Sequence, residues 1–137
     1  MSLILDSSAT LAWFYTDETT PAIRQVFALL AKSGAWVPSL WRLEVANILE
    51  MGVRRGRHDV AFRQATLTDL SSLPISIDLE TDRRAWDATL QLAHLHRLTL
   101  YDAAYLELAQ RRALPLATLD SDLRAAASAE RVHLMGM

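Results

Sequence analysis

Short apolar runs alternate along the chain with longer segments in which apolar residues recur at spacings of three and four. The short runs predict strands buried on both faces, because such strands have no polar side. They lie at Leu3–Leu5, Ala35–Val37, Ile75–Ile77, Leu116–Leu119 and Val132–Leu134. The longer segments predict helices at Ser8–Tyr15, Pro21–Lys32, Leu40–Arg54, Val60–Ser71, Glu80–His94, Asp102–Arg112 and Ser121–Ala129.

This alternation predicts an α/β fold. Strands that are separated by helices pair in parallel, and the helices then cover both faces of the sheet. We therefore expect a three-layer α/β/α sandwich around a central, mainly parallel, five-stranded sheet. No internal repeat, low-complexity tract or long linker divides the sequence, so we expect one domain over residues 1–137.

The composition narrows the function. A chain of 137 residues with 51% hydrophobic content can bury the core of one domain. The absence of cysteine excludes disulfides and thiolate sites, and no apolar run is long enough for a membrane span. We expect a soluble, cytoplasmic protein. The net charge of −2 argues against a globally basic nucleic-acid binder, although all basic residues except Lys32 are arginine, which suits phosphate contacts.

Four carboxylates lie in separate segments where an acid is costly for folding. Asp6 and Asp120 end two of the strand-like runs, Glu44 lies in a helix among apolar neighbours, and Asp102 lies near the start of another helix. In parallel sheets, ligands bind beyond the carboxyl ends of the strands. Hard divalent ions take carboxylate oxygens, and acids that a fold brings together repel one another unless cations or protons compensate. The pattern therefore predicts an oxygen-rich metal site.

Helix capping is the alternative role for two of these acids. Asp102 would open the helix over residues 103–112, and either Asp120 or Ser121 would cap the helix that follows. The positive potential of a helix N-terminus should also keep such carboxylates ionised.

An ion pair is the alternative role for Glu44. Its neighbours at helical spacing are Leu40, Trp41, Asn47 and Ile48. This mostly apolar face should point inward, where a lone glutamate needs compensation by a metal or by an arginine such as Arg42 or Arg97. Asn47, one turn later, would either orient Glu44 or cap a local backbone group.

The densest basic patch comprises Arg54, Arg55 and Arg57 at the end of the helix that carries Glu44. These residues are candidates for contacts with substrate phosphates, but cations at a helix C-terminus are also expected from the helix dipole alone. We expect the other paired arginines, Arg83, Arg84, Arg111 and Arg112, to be ordinary helix-surface residues.

Four segments, residues 3–8, 37–47, 98–109 and 114–123, occur in an order that resembles the PIN-domain ribonucleases, and within them the VapC-like toxins. Each segment alone is weakly specific, whereas four in the family's order are strongly specific. The resemblance implies that Asp6, Glu44, Asp102 and Asp120 form the catalytic site and bind Mg²⁺, for which Mn²⁺ would substitute. It adds Ser7 and Thr118 as supporting hydroxyls. Asp122 ranks lower, since an exposed acid in the first helical turn has the same pattern.

The resemblance further implies a metal-dependent endoribonuclease that hydrolyses RNA phosphodiester bonds as the toxin of a toxin–antitoxin pair. It implies a homodimer and a small antitoxin protein that blocks the acidic site. Two alternatives stay open: a PIN-like module that binds RNA or protein without cutting, and a metal-dependent DNA nuclease. A dinucleotide-binding enzyme and a P-loop protein are disfavoured, because residues 6–9 contain no glycine.

Overall fold

Five short parallel strands form the centre of the fold. In the computed structural model, which describes residues 1–137, they are β1 (Leu3–Leu5), β2 (Ala35–Pro38), β3 (Ile75–Asp78), β4 (Leu116–Ala117) and β5 (Leu134–Met135). The strand order is β3-β2-β1-β4-β5, and Ile4 of β1 lies opposite both Trp36 and Leu116. All the pairings are parallel, which confirms the predicted sheet.

Eight helices connect and cover the strands. They are α1 (Ser7–Phe14), α2 (Pro21–Ser33), α3 (Leu40–Arg54), α4 (Val60–Ser71), α5 (Thr81–Arg84), α6 (Ala88–His96), α7 (Leu100–Arg112) and α8 (Ser121–Ala129). The predicted bounds of α3, α4 and α8 are confirmed. None of the helices is both long and apolar enough to cross a membrane.

The single helix predicted over Glu80–His94 is wrong. Two helices, α5 and α6, lie there, and Asp87 between them has non-helical backbone angles of φ −115° and ψ −99°. The adjacent Trp86 is 88% exposed, so the break turns a large apolar side chain outward. No glycine or proline marks this position, and the break is therefore invisible in the residue pattern.

The core surrounds β1 and α7. All three residues of β1 are fully buried, and residues 103–109 of α7 are buried without interruption because this helix packs against both β1 and β2. The carboxyl ends of parallel strands share one edge of the sheet. Chain connections run to β2 and β3 on one side of β1 and to β4 and β5 on the other, which leaves a crevice at that edge beside β1.

Arg111 and Arg112 are not ordinary surface residues, so that expectation is wrong. Both converge on Asp78, which is 1% exposed: Arg111 donates to Oδ2 at 2.8 Å and Arg112 to Oδ1 at 2.9 Å. The Arg112 guanidinium also lies 3.5 Å from the centre of the Trp36 ring. These contacts fix the end of α7 to β2 and β3, and the two guanidinium groups lower the pKa of Asp78 well below its usual value.

Candidate active site

Asp6 is held rigidly at the end of β1. It is the N-cap of α1, where Oδ1 accepts hydrogen bonds from the Ala9 amide at 2.9 Å and the Ser8 hydroxyl at 2.7 Å. Oδ2 accepts a hydrogen bond from the Thr118 hydroxyl at 2.5 Å. Burial raises the pKa of Asp6, and the charge of Asp102 adds to the rise, while the three hydrogen bonds oppose it. Asp6 therefore has a fixed orientation and a carboxylate whose charge is only partly compensated.

Two hydroxyls join the loop after β1 to the loop after β4. The Thr118 hydroxyl donates to Asp6 and accepts a hydrogen bond from the Asp120 amide at 3.1 Å. The Ser8 hydroxyl donates to Asp6 and accepts a hydrogen bond from the Leu119 amide at 3.0 Å. Asp6 and Asp120 are thereby brought to the same crevice.

Asp120 is the N-cap of α8, which confirms one of the two caps that the sequence predicted for this helix. Its Oδ2 accepts a hydrogen bond from the Leu123 amide at 2.8 Å. Capping uses one carboxylate oxygen of Asp120, which leaves the other for a further ligand.

Asp102 does not cap α7, so the capping alternative is wrong for this residue. The helix begins at Leu100, and Thr99 is the cap, whose hydroxyl accepts a hydrogen bond from the Asp102 amide at 3.1 Å. Burial raises the pKa of Asp102, as do the charges of Asp120 and Asp122, while the Thr99 side chain opposes the rise. Burial and the neighbouring acids therefore make the charged form of Asp102 more costly than that of a free aspartate.

Glu44 is half-buried and bound to a tyrosine. The hydroxyl of Tyr105, a residue that is 1% exposed, donates a hydrogen bond of 2.5 Å to Glu44 Oε1. Burial raises the pKa of Glu44, and the charges of Asp102 and Asp6 contribute, whereas the hydroxyls of Tyr105 and Ser7 lower it. No arginine pairs with Glu44, so the alternative of an ion pair with Arg42 or Arg97 is wrong.

The orientation of α3 also differs from the expectation. Its buried stripe contains Trp41, Val45 and Leu49, while Asn47 and Ile48 are exposed. The face of α3 that carries Glu44 is therefore the border between the core and the crevice. This placement explains why the glutamate needs no buried counter-ion: one side of it faces solvent.

The four acids thus come from four different parts of the chain and lie at one edge of the sheet, where their negative charges repel one another. All are hard oxygen donors, and a divalent cation would offset the repulsion between their negative charges, so the donor set fits Mg²⁺ or Mn²⁺. The side chains do not form a group of three or more histidine, cysteine or acidic residues close enough to hold an ion. The fit therefore rests on donor chemistry and electrostatic coupling.

The remaining predicted supporting residues lie around this edge. Ser7 is close enough to Glu44 to lower its pKa, and Asn47 is exposed and makes no hydrogen bond to Glu44. Asp122 is exposed in the first turn of α8, where its negative charge contributes to the raised pKa of Asp102.

The basic patch at the end of α3 divides into paired and unpaired residues. Arg54 binds Glu50 at 3.2 Å, and Arg57 binds Asp17 at 3.1 Å and Glu18 at 2.8 Å. Arg55 has no acidic partner.

Sequence reasoning missed three residues that position the acids, namely Ser8, Thr99 and Tyr105. Two of them carried a local signal: Thr99 precedes Asp102 by three residues, as an N-cap residue does, and Ser8 lies two residues after Asp6, where a hydroxyl can bond the preceding carboxylate. Tyr105 carried none, because its partner Glu44 lies 61 residues away in the chain.

The family model of the PIN domain matches residues 3–129. Among solved structures, PAE2754 from Pyrobaculum aerophilum is 26% identical with a TM-score of 0.68, over 92% of this chain and 84% of that chain. VapBC2 from Rickettsia felis, crystallised with a DNA fragment from their promoter, is 13% identical with a TM-score of 0.65, over 98% and 97%. VapC20 from Mycobacterium tuberculosis, described as a sarcin-ricin loop cleaving toxin, is 17% identical with a TM-score of 0.60, over 90% and 94%. A comparison with curated protein sequences gave no match.

Proposed function

Because the chain belongs to the PIN domain family, we propose that it is a metal-dependent endoribonuclease and the toxin of a toxin–antitoxin pair. The observation that carries the proposal is the convergence of Asp6, Glu44, Asp102 and Asp120 on one edge of the sheet, where burial, with a smaller contribution from neighbouring acids, raises the pKa values of Asp6, Glu44 and Asp102. The fold that the chain shares with the RNA-cleaving toxin VapC20 supports the choice of RNA over DNA.

In this proposal Asp6 and Asp102 would be the principal ligands of Mg²⁺ or Mn²⁺, Asp120 would complete the sphere directly or through water, and Glu44 would either hold a second ion or accept a proton from the attacking water. A divalent ion bound there supplies an activated water and neutralises charge at the phosphate and the leaving oxygen. Thr118 and Ser8 hold the Asp6 carboxylate in one orientation before any ligand arrives, since both of its oxygens already accept hydrogen bonds.

Glu44 is the residue suited to moving a proton. Its pKa is raised towards the working pH, which improves a carboxylate as a general base. Tyr105 occupies Oε1, so Oε2 is the atom that would accept the proton of the attacking water. In-line hydrolysis of this kind leaves a 5′-phosphate and a 3′-hydroxyl.

The proposal extends to organisation and partners. Residues 1–137 act as one nuclease domain in the cytoplasm, and the protein forms a homodimer. A small antitoxin protein covers the acidic edge and keeps the enzyme inactive. The fold shared with VapBC2, a toxin–antitoxin complex by its name, supports the antitoxin partner.

The test is cleavage of total cellular RNA by the purified protein with Mg²⁺ or Mn²⁺. Discrete fragments should appear, and they should be lost in EDTA and in an Asp102→Asn variant. An Asp69→Asn variant is the matched control, because Asp69 is an exposed acid on α4 away from the crevice.

Two results would redirect the proposal. Absence of cleavage by folded, antitoxin-free protein that still binds Mn²⁺ would favour a non-cutting module that binds RNA or protein. Equal cutting of single-stranded DNA would favour a DNA nuclease, because an RNA enzyme that reads the 2′-hydroxyl discriminates between the two.

A further inference from the structure

A groove runs from the acidic edge along α1 and α3 to the end of α3. Its volume is about 400 Å³. The end beside the acids is polar, the far end carries Arg55, and three apolar side chains lie between them. The polar residues are Ser7, Ser8 and Asn47, and the apolar residues are Leu11, Ile48 and Met51.

One charged residue of this groove has no partner of opposite charge. Arg57 and Glu18 also line the groove, but the Arg57 guanidinium is bound to Glu18 and Asp17 and lies 3.9 Å from the centre of the Tyr15 ring. Arg54 is paired with Glu50 outside the groove. Arg55 is exposed and has no acidic partner, so its guanidinium is the positive charge that a ligand in the groove would meet.

The dimensions of α3 relate Arg55 to the acids. Glu44 and Arg55 lie on the same helix axis, and at the rise of an α-helix their separation along it is about 16 Å. A nucleic-acid strand with the cleaved phosphate at the acids therefore brings another of its phosphates near Arg55. The apolar surface between the two ends suits bases or sugars, which single-strand binding proteins hold on apolar and aromatic side chains while cations follow the backbone.

We propose that this groove is a binding subsite for a single-stranded segment of the RNA substrate and that Arg55 binds a phosphate of that segment. The inference rests on the proposed function, and it narrows the basic patch at the end of α3 to one residue. Arg54 and Arg57 instead form surface ion pairs with their acidic partners.

The experiment measures binding separately from cleavage. An Asp102→Asn background prevents cutting, and fluorescence anisotropy follows a labelled, unstructured RNA strand in Mg²⁺ over a series of salt concentrations. We expect Arg55→Ala to weaken binding roughly fivefold or more, as loss of a charge-assisted contact does. The slope of log affinity against log salt should fall by about 0.7, the value for one phosphate contact to a single strand.

Two further variants serve as controls. Lys32→Ala removes an equal charge from an exposed residue in the last turn of α2, just before the amino end of β2 and so at the opposite edge of the sheet, and it should leave both affinity and slope unchanged. Arg55→Lys keeps the charge and should restore the salt slope while recovering only part of the affinity, because lysine lacks the bidentate fork.

The proposal is overturned if Arg55→Ala binds RNA as tightly as Lys32→Ala with the same salt slope. That result would leave the proposed function intact if the protein with Asp102 restored still cuts RNA. Conversely, Arg55→Ala could weaken RNA binding while the protein that keeps Asp102 does not cut RNA. That pair of results would support the subsite and refute the nuclease. Identical thermal melting of the variants establishes that the differences come from binding.

Discussion

The hydrogen bond between Tyr105 and Glu44 gives a prediction whose size and pH dependence follow from the structure. Tyr105→Phe removes the hydroxyl that donates to Glu44 Oε1 and leaves the buried ring in place. A hydrogen bond to a charged group contributes about 1.5–3 kcal/mol, and since Glu44 is only half-buried, water can replace part of it. We therefore expect a loss of about 1 kcal/mol in the free energy of unfolding when Glu44 is ionised.

The pH dependence has a definite sign. The folded-state pKa of Glu44 is raised above its usual 4.5, so the folded protein is favoured by a protonated Glu44 and loses that stability as the pH rises through the folded pKa. The Tyr105 hydroxyl opposes this loss because it stabilises the carboxylate. Tyr105→Phe raises the pKa of Glu44 further, and its destabilisation should therefore be largest above that pKa and shrink as Glu44 becomes protonated.

Urea denaturation of the wild type and Tyr105→Phe at about pH 8 and at about pH 4, below the usual pKa of 4.5, measures both effects. Tyr101→Phe is the matched control, because Tyr101 lies on the same helix, is 63% exposed and makes no hydrogen bond to Glu44. The reasoning is refuted if Tyr105→Phe matches Tyr101→Phe at the higher pH, or if its destabilisation is the same at both pH values.

Three other substitutions test the positions of single residues. Asp78→Ala should lower the free energy of unfolding in urea by about 2–4 kcal/mol, because it leaves two partly buried guanidinium groups without their shared partner, whereas Asp82→Ala at an exposed site should change it little. Gly52→Ala should lower the melting temperature by several degrees, because a Cβ there would clash with the His58 imidazole, which is held by the Tyr15 hydroxyl and packs on Phe62; an unchanged melting curve would contradict this packing. Thr118→Val should reduce RNA cleavage by freeing the Asp6 carboxylate, and Thr118→Ser should restore it; equal rates in the two variants would exclude the hydroxyl as the cause.

Much of the fold was predictable because buried strands and long helices leave strong local patterns. The bounds of α3, α4 and α8 agree with the prediction, and each of the five apolar runs overlaps a strand. The break between α5 and α6 was not predictable, since no glycine or proline marks it. Local pattern therefore failed where no residue type signals the end of a helix.

The candidate site divides in the same way. The acids are recognisable from sequence because Asp6 and Asp120 follow strands and Glu44 interrupts an apolar helix. Their partners are not, since the bond from Tyr105 to Glu44 spans 61 residues and the bond from Thr118 to Asp6 spans 112. Such contacts depend on strand order and helix rotation.

Arg111 and Arg112 illustrate the same limit for the basic residues. On the chain they resemble cations that favour a helix C-terminus, and only the packing of α7 against β2 brings them to Asp78. The sequence pattern is the same for a solvated arginine and for one that holds two layers together.

The most direct test of the metallonuclease is the chemistry of the ends that it produces. RNA treated with the wild type in Mg²⁺ is ligated to an adaptor that accepts only 5′-phosphate ends, and the new ends are sequenced. We predict discrete sites that carry 5′-phosphates in the wild type and in Asp69→Asn and that disappear in Asp102→Asn. Fragments that carry 2′,3′-cyclic phosphates and 5′-hydroxyls, or cutting that persists in EDTA, would contradict metal-dependent hydrolysis at the acidic edge.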